Sequence, residues 1–206
     1  IEPVPGFKIE LDGNRNKSEN ISEFFRWNDS LENFAHQSPI VNGNFSMSFI
    51  TWKTSFEKMN KDYSSDAFDV FLDNRSVISR RLAEKYNNST GVKNNYFQGY
   101  GATSQQVLMY SFLSAYSGKN SNSVPLKTFP EIPKPNWRIT YDGLSKIKFL
   151  KKFFKTITLA HTYRSSYSFS YTNNLLSGLK EAGNPFVTDA NDDFIFYEQI
   201  NSVSIS

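Results

Sequence analysis

The sequence predicts a mainly β protein with helical segments between its strands, and three observations support this. Residues 156–172, TITLAHTYRSSYSFSYT, place apolar or aromatic side chains at most odd positions and small or polar ones at even positions. This alternation is the period of a β-strand. Residues 137–141 and 7–11 alternate in the same way. The apolar spacing becomes helical at about 63–88 and 103–118, so two helices are expected there.

Residues 156–172 form the longest alternating stretch, and two interpretations of it remain open. An unbroken strand of this length would span roughly 56 Å. A strand that crosses a bilayer needs only ~9–11 residues. The aromatic face either packs on the core of a soluble sheet, or it faces lipid in a transmembrane barrel with its polar face toward a wet lumen.

The remaining strands are less regular. Alternation resumes after a polar stretch with Phe24, Phe25 and Trp27, as part of one long strand or as a separate second strand. A strand at 44–56 changes its apolar phase near Phe49, which predicts a β-bulge there. We expect a loop at 28–43, a short helical connection at 142–155, a helical turn at 173–182 and a last strand at 194–206.

The two predicted helices carry recognisable end signals. Ser65 or Asp66 is the expected N-cap of the first helix, and Gly118 is the expected stop of the second. Four prolines then fix an extended path, at Pro125, Pro130, Pro133 and Pro135. Residues 57–135 are therefore predicted to be a helical and Pro-rich insertion between strands.

Composition excludes several classes of protein. The 206 residues carry a net charge of +3 with 23 basic and 20 acidic side chains, which is too balanced to indicate nucleic-acid binding. With no cysteine, the chain has neither disulfides nor thiolate metal sites. The mean hydropathy is −0.51, and no apolar run approaches the ~18 residues of a spanning helix. The chain starts at Ile1 without a leader, so we expect it to be an excised piece of a longer protein.

The sequence does not predict an enzyme, and no cofactor or metal is expected. Its two histidines, His36 and His161, are far apart in the chain. His161 lies on the aromatic face of the 156–172 stretch, where a packed or interfacial ring is expected rather than a base. Asp192 and Asp193 are expected to form a solvated turn. Gly99 and Gly101 lack the third glycine of a dinucleotide-binding loop.

The predicted connection at 142–155 is amphipathic. Its lysines at 148, 151, 152 and 155 share one face, and Leu144, Ile147, Leu150 and Phe154 can form another. Such a segment is either an interfacial membrane helix or a solvated helix between strands. The second interpretation is the simpler one.

Five blocks of this chain resemble one family in the family's own order. They are PNWRITYDGLS at 135–145, KKFFKTITLAHTYRSSYS at 151–168, NRSVISRRLA at 74–83, GYGATSQQVL at 99–108 and AYSGK at 115–119. Together they resemble the SprA family, also called Sov, which comprises giant outer-membrane translocon proteins of Bacteroidota type IX secretion and gliding motility. None of these blocks is a catalytic motif, so the length and order of the matches carry the resemblance.

This resemblance implies that residues 1–206 are a single fragment from the C-terminal part of a very large transmembrane β-barrel. The fold implied is mainly β, with antiparallel strands in the barrel and two helices inserted between them. The implied function is the export of folded cargo proteins across the cell outer membrane. The implied partners are secreted cargo proteins, other secretion-system subunits and membrane lipid, without nucleic acid. The open alternatives are a soluble α+β binding domain and a segment of another outer-membrane receptor or porin barrel.

In a barrel wall, the two faces of the strands meet different surroundings. The implied lipid-facing residues are Trp137, Ile139, Tyr141, Ile157, Leu159, Tyr163, Tyr167, Phe169 and Tyr171. The implied lumen-facing residues are Arg138, Thr140, Thr158, Thr162, Arg164, Ser166 and Ser168. Residues 137–141 and 156–172 are expected to pair as antiparallel neighbours through the 142–155 connection.

Overall fold

A computed structural model describes residues 1–54, 59–61, 65–87, 91–173 and 184–206. In this part of the chain the fold is mainly antiparallel β with two α-helices. The helices are α1 (Asp66–Tyr86) and α2 (Gln105–Ser117). The strands are β1 (Phe7–Asp12), β2 (Arg15–Asn28), β3 (Asn33–Ser48), β4 (Val92–Lys93), β5 (Tyr96–Phe97), β6 (Asn136–Tyr141), β7 (Leu159–Tyr163), β8 (Ser166–Asn173), β9 (Asn184–Thr188), β10 (Phe194–Ile195) and β11 (Glu198–Ile205).

The strands that matter most for function belong to two antiparallel sheets. The first sheet has the order β1-β6-β7, and the second has the order β11-β8-β3-β2. In the first sheet Leu11 pairs with Trp137, which pairs with Tyr163 on its other side. The predicted antiparallel pairing of 137–141 with 156–172 is therefore confirmed, with the odd positions of both strands on one face.

The two sheets meet end to end and continue one another. Ser48, at the end of β3, donates its backbone N–H to Asn14 O (2.8 Å), and the next residue, Phe49, donates to Ser165 O (3.0 Å). The backbone N–H of Lys134 donates to Ser48 O (3.0 Å), and β6 begins two residues later. The chain thus returns to the ladder where it left it, so β3 and β6 are two parts of one interrupted strand.

Taken in this way, the ladder is a simple meander. A first long strand (β1 and β2) is followed by the interrupted strand (β3 and β6), then by β7 and β8, then by β11. Each long strand pairs antiparallel with the next one along the chain. Residues 50–134 form the insertion. It leaves the ladder before residue 57, the start predicted from the sequence, because the strand ends at Ser48.

The insertion contributes both helices, and their ends follow the sequence signals. The side chain of Ser65 accepts from Phe68 N (3.2 Å), which caps α1. Gly118 ends α2 in the left-handed conformation, with φ of 60°. Apolar side chains of the helices pack with odd residues of β3 and β8 in one core, and α1 and α2 also contact each other. The fully buried members are Phe45, Ile78, Leu82, Tyr100, Val107, Tyr110 and Tyr167.

The predicted strand at 156–172 begins later and is divided. β7 and β8 are separated by Arg164 and Ser165, at the level where their neighbour changes from β6 to β3. There the N–H of Ser165 donates to the side chain of Asn136 (2.9 Å). The break occurs because β7 and β8 pair with strands from two distant parts of the chain, β6 and β3. The local alternation of residues 156–172 carries no information about these partners.

Three other predictions about the strands need correction. The loop predicted at 28–43 is mostly strand β3, which pairs with β2 from Asn33 onward. The bulge lies at Ser38 and Pro39, opposite Glu23, and not near Phe49. Ser38 has φ of +50°, and Pro39 cannot donate to a ladder, so both suit an irregular position. The last strand is divided into β10 and β11. The helical turn predicted at 173–182 falls almost wholly outside the described residues.

Candidate functional site

The first sheet presents an uncovered apolar surface, which we call the open apolar face. It consists of odd residues of β1, β6 and β7, with a groove of about 420 Å³ between them. Leu11 and Leu159 are 61% and 62% exposed, and the residues between them are half-buried or exposed. Exposed apolar patches of this kind are typical of surfaces that contact a partner or a membrane. The face comprises Phe7, Ile9, Leu11, Trp137, Ile139, Tyr141, Leu159 and His161.

The opposite face of the same sheet is polar. Lys8 and Glu10 form an ion pair there (2.6 Å), Glu10 is paired across the strands with Arg138, and Arg138 is paired with Thr162. The predicted separation of apolar and polar residues onto two faces is therefore confirmed for β6 and β7. What each face contacts remains a prediction.

Aromatic rings gather where the open apolar face meets the second sheet. Trp137 stacks on Tyr163 with ring centroids 4.3 Å apart, and Trp52 lies 5.7 Å and 5.5 Å from the same two rings. The hydroxyl of Tyr163 accepts from Thr51 N (2.7 Å). His161 is also packed by Trp52, at 5.6 Å. We call Trp52, Trp137 and Tyr163 the junction cluster.

The aromatic residues of β8 do not lie on an open surface. Tyr167, Phe169 and Tyr171 are at most 3% exposed and pack with the helical insertion, including Phe129 at 5.4 Å from Phe169. Tyr163 is also buried, at 7%. The prediction that these four residues face lipid is wrong. The insertion covers the three residues of β8, and Trp52 and Trp137 pack on Tyr163. Trp137, Ile139, Tyr141 and Leu159 remain on the open face, and Ile157 is half-buried before β7.

The polar face continues onto the second sheet as a surface of small hydroxyl side chains. Between β8 and the segment 202–206, which comprises the end of β11 and the residue after it, three serine pairs hydrogen-bond at 2.9, 2.8 and 2.9 Å. The predicted lumen-facing residues all lie on uncovered surface. Arg138, Thr158, Thr162 and Arg164 are exposed, and Thr140, Ser166 and Ser168 are half-buried.

Sequence reasoning missed a second aromatic surface, at the tip of the β2–β3 hairpin. Phe25 and Trp27 contact Phe34 at ring distances of 5.6 Å each, and Phe25 also contacts His36 at 5.0 Å. Phe25, Trp27 and Phe34 are more than half exposed. The bulge at Ser38 and Pro39 swaps the parity of β3, so Phe34 and His36 appear out of phase in the sequence.

Two titratable groups singled out from the sequence, His36 and Asp193, have close partners in the structure. His36 pairs with Glu23 (2.7 Å), and no cluster of three or more potential metal ligands occurs among the described residues. Asp193 is buried, contrary to the predicted solvated turn. It accepts from Gly101 N (2.5 Å) and Thr103 Oγ1 (2.7 Å). Burial raises the pKa of its carboxyl group, partly offset by these hydrogen bonds.

A larger cavity of about 610 Å³ lies between α2 and the β10–β11 region. Its lining is mostly apolar side chains such as Leu108, Phe112 and Val203. Asp193, its buried carboxylate, already accepts two hydrogen bonds. The Gln105 side chain at this cavity is likewise engaged, by Glu198 O and Ile200 N.

These features define the class as a mainly antiparallel β protein with a helical insertion, in which the first sheet carries the open apolar face. None of the described helices combines the length and apolar character needed to cross a membrane. No family model matches this chain, and no curated protein does.

Proposed function

We propose that this chain is a wall segment of an outer-membrane β-barrel that conducts folded cargo proteins, as in type IX secretion and gliding motility. The observation that carries the barrel part of the proposal is the meander with two distinct faces. Sequential antiparallel strands, apolar on one face and polar on the other, are the construction of a transmembrane barrel wall. The protein-conducting part rests on the five sequence blocks that resemble the SprA family.

The connectivity supports this proposal. An up-and-down barrel joins each strand to its neighbour, and the ladder here follows that order throughout. Among the described residues both sides of the ladder are edges, since β2 and β11 each have one paired neighbour in the second sheet. Exposed edges favour pairing with further strands, which a longer barrel supplies.

The dimensions of the open apolar face are also suitable. Six strand residues rise about 20 Å, close to the ~25 Å apolar band of outer-membrane barrels. The junction cluster lies at one border of this face, as do the aromatic girdles at the two interfaces of such barrels. The ion pair of Lys8 with Glu10 lies on the other face, where water in a lumen would solvate it.

The insertion belongs outside the membrane in this proposal. α1 carries charged side chains along its length, including Asp66, Asp73, Arg80 and Lys85, which are costly in a hydrocarbon environment. It covers the aromatic face of β8, so that part of the ladder meets protein instead of lipid. The serine pairs of the polar face would line part of the passage with small hydroxyl groups.

A second candidate is a soluble α+β binding domain. The observation in its favour is the shared core of the helices and the second sheet, which is as well buried as that of an ordinary domain. The open apolar face would then bind a protein partner. A segment of another outer-membrane receptor or porin barrel has the same wall geometry, and only the sequence blocks favour the secretion family over it.

Two adjacent exposed residues of β7 provide the test. Leu159 lies on the open apolar face and Ala160 on the polar face. We expect Leu159→Arg to destabilise the protein in the membrane by about 1–3 kcal/mol, which lies between the costs of arginine at the bilayer midplane and at its interfaces. Ala160→Arg should have little effect. The measurement is the amount of each variant in the outer membrane of the native host, in the full-length protein, together with secretion of cargo.

The matched pair separates the candidates because both positions are exposed. In a soluble domain, arginine at either position changes stability by less than about 0.5 kcal/mol. Equal assembly of the two variants would contradict the orientation of the wall. Recovery of the wild-type protein outside the membrane fraction would favour the binding domain.

A further inference from the structure

The connection between β6 and β7 has an unusual surface. Residues 143–155, GLSKIKFLKKFFK, contain five lysines and no acidic residue. We call this segment the lysine–phenylalanine loop. Its helical structure is limited to two short 3₁₀ turns, Gly143–Lys146 and Leu150–Lys152, so the short helical connection predicted at 142–155 is confirmed only in part.

The large apolar side chains of this loop point into solvent. Phe149, Phe153 and Phe154 are 69%, 67% and 54% exposed, and Ile147 is 46% exposed. Phe149 and Phe153 contact each other, with ring centroids 5.5 Å apart. Side chains of this size that remain in water forgo the free energy of burial. A set of exposed rings in one loop therefore indicates a surface that becomes covered.

The loop is held in place at both ends. The hydroxyl of Ser145 donates to Ile157 O (3.1 Å) and accepts from Ile157 N (2.8 Å). The N–H of Asp142 donates to Gly6 O (2.9 Å). Backbone hydrogen bonds from Lys151, Phe153 and Phe154 maintain the turns. The rings are thus displayed by a closed, internally bonded loop.

The charge of the loop is not neutralised by the rest of the described chain. All five lysines are exposed, and the ion pairs found in the described residues involve none of them. The uncompensated charge and the exposed rings lie within thirteen residues. An anionic partner with an apolar interior complements both properties.

We infer that the lysine–phenylalanine loop binds the surface of an anionic phospholipid membrane. The phenylalanines insert at the boundary between headgroups and acyl chains, and the lysines remain among the phosphates. Lysine stems extend so that the ammonium groups reach the polar region while the stems cover apolar surface. Basic segments near anionic bilayers gain about 1 kcal/mol per lysine.

Two features favour a membrane over a nucleic acid or an acidic protein. The cations are all lysines, whereas sites that recognise individual phosphates or carboxylates favour the planar fork of arginine. The rings lie on a protruding loop and not in a groove, as would be needed to stack bases along a strand. The phosphate charges of a membrane surface have no fixed positions, so lysines spread along a loop with protruding apolar side chains suit such a surface.

This inference goes beyond the proposed function and does not depend on it. Under that proposal the loop lies at one rim of the open apolar face, because it leaves the sheet at Tyr141 and returns before Leu159. A binding domain outside the membrane would use the same loop to attach to a bilayer. Failure of the arginine test above would leave the loop's membrane affinity standing, and the reverse also holds.

The test measures binding of the 206-residue chain to vesicles by flotation. Vesicles contain either phosphatidylcholine alone or phosphatidylcholine with 30% phosphatidylglycerol. We expect binding to the anionic vesicles to weaken roughly 100-fold in the triple variant Lys148→Gln, Lys151→Gln, Lys152→Gln, because each lysine contributes about fivefold. Binding of the unmodified chain should also weaken in 1 M salt, where the Debye length is about 3 Å.

The matched control removes three exposed lysines elsewhere, as Lys93→Gln, Lys119→Gln and Lys134→Gln. This control has the same net charge and should retain binding to within a few-fold. Equal loss in both triple variants would overturn the inference, because net charge alone would then explain the binding. Preference for heparin or an acidic polypeptide over the anionic vesicles would also overturn it.

A second measurement reports insertion and does not depend on net charge. The chain has no native cysteine, so an environment-sensitive dye can be attached at Phe149→Cys alone. We expect its emission to shift to shorter wavelength on anionic vesicles. The same dye at Val92→Cys, where the native side chain is 62% exposed, should not shift. A shift at both positions, or at neither, would contradict insertion of this loop.

Discussion

Gly43 illustrates how tightly the second sheet is packed at the level of one residue. It pairs with Tyr171 across β3 and β8, and the ring of Tyr171 lies over its backbone. A Cβ atom added to Gly43 would come within 2.2 Å of this ring. The hydroxyl of Tyr171 is fixed by donation to Glu19 (2.7 Å), so the ring is not free to move aside. Glycine is therefore required here by close approach.

We predict that Gly43→Ala destabilises the fold by about 1–3 kcal/mol, the usual cost of overpacking. Urea unfolding monitored by tyrosine and tryptophan fluorescence would measure the change. Gly13→Ala is the matched control, since its Cβ would meet only Pro133, at 3.7 Å. Equal effects of the two substitutions would contradict this prediction, because the ring of Tyr171 lies against Gly43 and not against Gly13.

Asp193 shows a limit of sequence reading at this scale. A pair of adjacent aspartates in a polar stretch is typical of a solvated turn, and Asp192 is indeed exposed with φ of +62°. Its neighbour instead accepts hydrogen bonds from residues ~90 positions away in the chain. Nothing local distinguishes the two carboxylates.

At the scale of elements, alternation fixes which side chains share a face and the ladder fixes their partners. β6 has Thr140 opposite Ala160 of β7 on the polar face. Directly opposite Cβ atoms in antiparallel strands are about 4.5–5.5 Å apart, and diagonal ones are about 7–8 Å apart. Only the direct neighbours approach the Cβ separation of a disulfide, about 3.5–4.5 Å.

This register predicts which cysteine pairs will cross-link. Thr140→Cys with Ala160→Cys should oxidise readily to a disulfide, because the two positions are direct partners. Thr140→Cys with Thr162→Cys should not, because these positions are diagonal. Electrophoretic mobility without reductant measures the outcome, and the absence of native cysteine keeps it unambiguous. Faster cross-linking of the second pair would mean that the register is shifted.

At the scale of the whole molecule, the insertion decides the environment of half of the ladder. Ser48 bonds to Asn14 and Asn136 pairs with Asp12, so one residue fits between Ser48 and Asn136. A direct junction of Phe49 to Asn136 would make the interrupted strand continuous with its faces in phase. The insertion is therefore separable from the ladder by geometry, although its helices cover the apolar residues of β3 and β8.

We predict that deletion of residues 50–135, with Phe49 joined to Asn136, leaves a β-rich chain that aggregates in water. The reason is the exposure of Phe45, Phe169 and Tyr171, among other core residues of the second sheet. Circular dichroism and size-exclusion chromatography measure these two properties. The same deletion with Phe45→Ser, Phe169→Ser and Tyr171→Ser is the control and should be less prone to aggregate. A monodisperse deletion variant without these serines would show that the helices are not needed to cover the sheet.

The sequence by itself determined the strand at Trp137 and its pairing partner, the two helices with their caps, and the apolar and polar faces. These follow from local periodicity and end signals, which act within a few residues. Only the tertiary structure decided that Tyr167 and Phe169 are buried while Leu159 is open, and that β3 and β6 form one interrupted strand. The physical reason is that a period specifies a face but not what covers it. The residues that cover the aromatic face of β8 belong to the insertion at 50–134. They reach the ladder only when the chain closes this long loop, so local sequence patterns do not specify the contact.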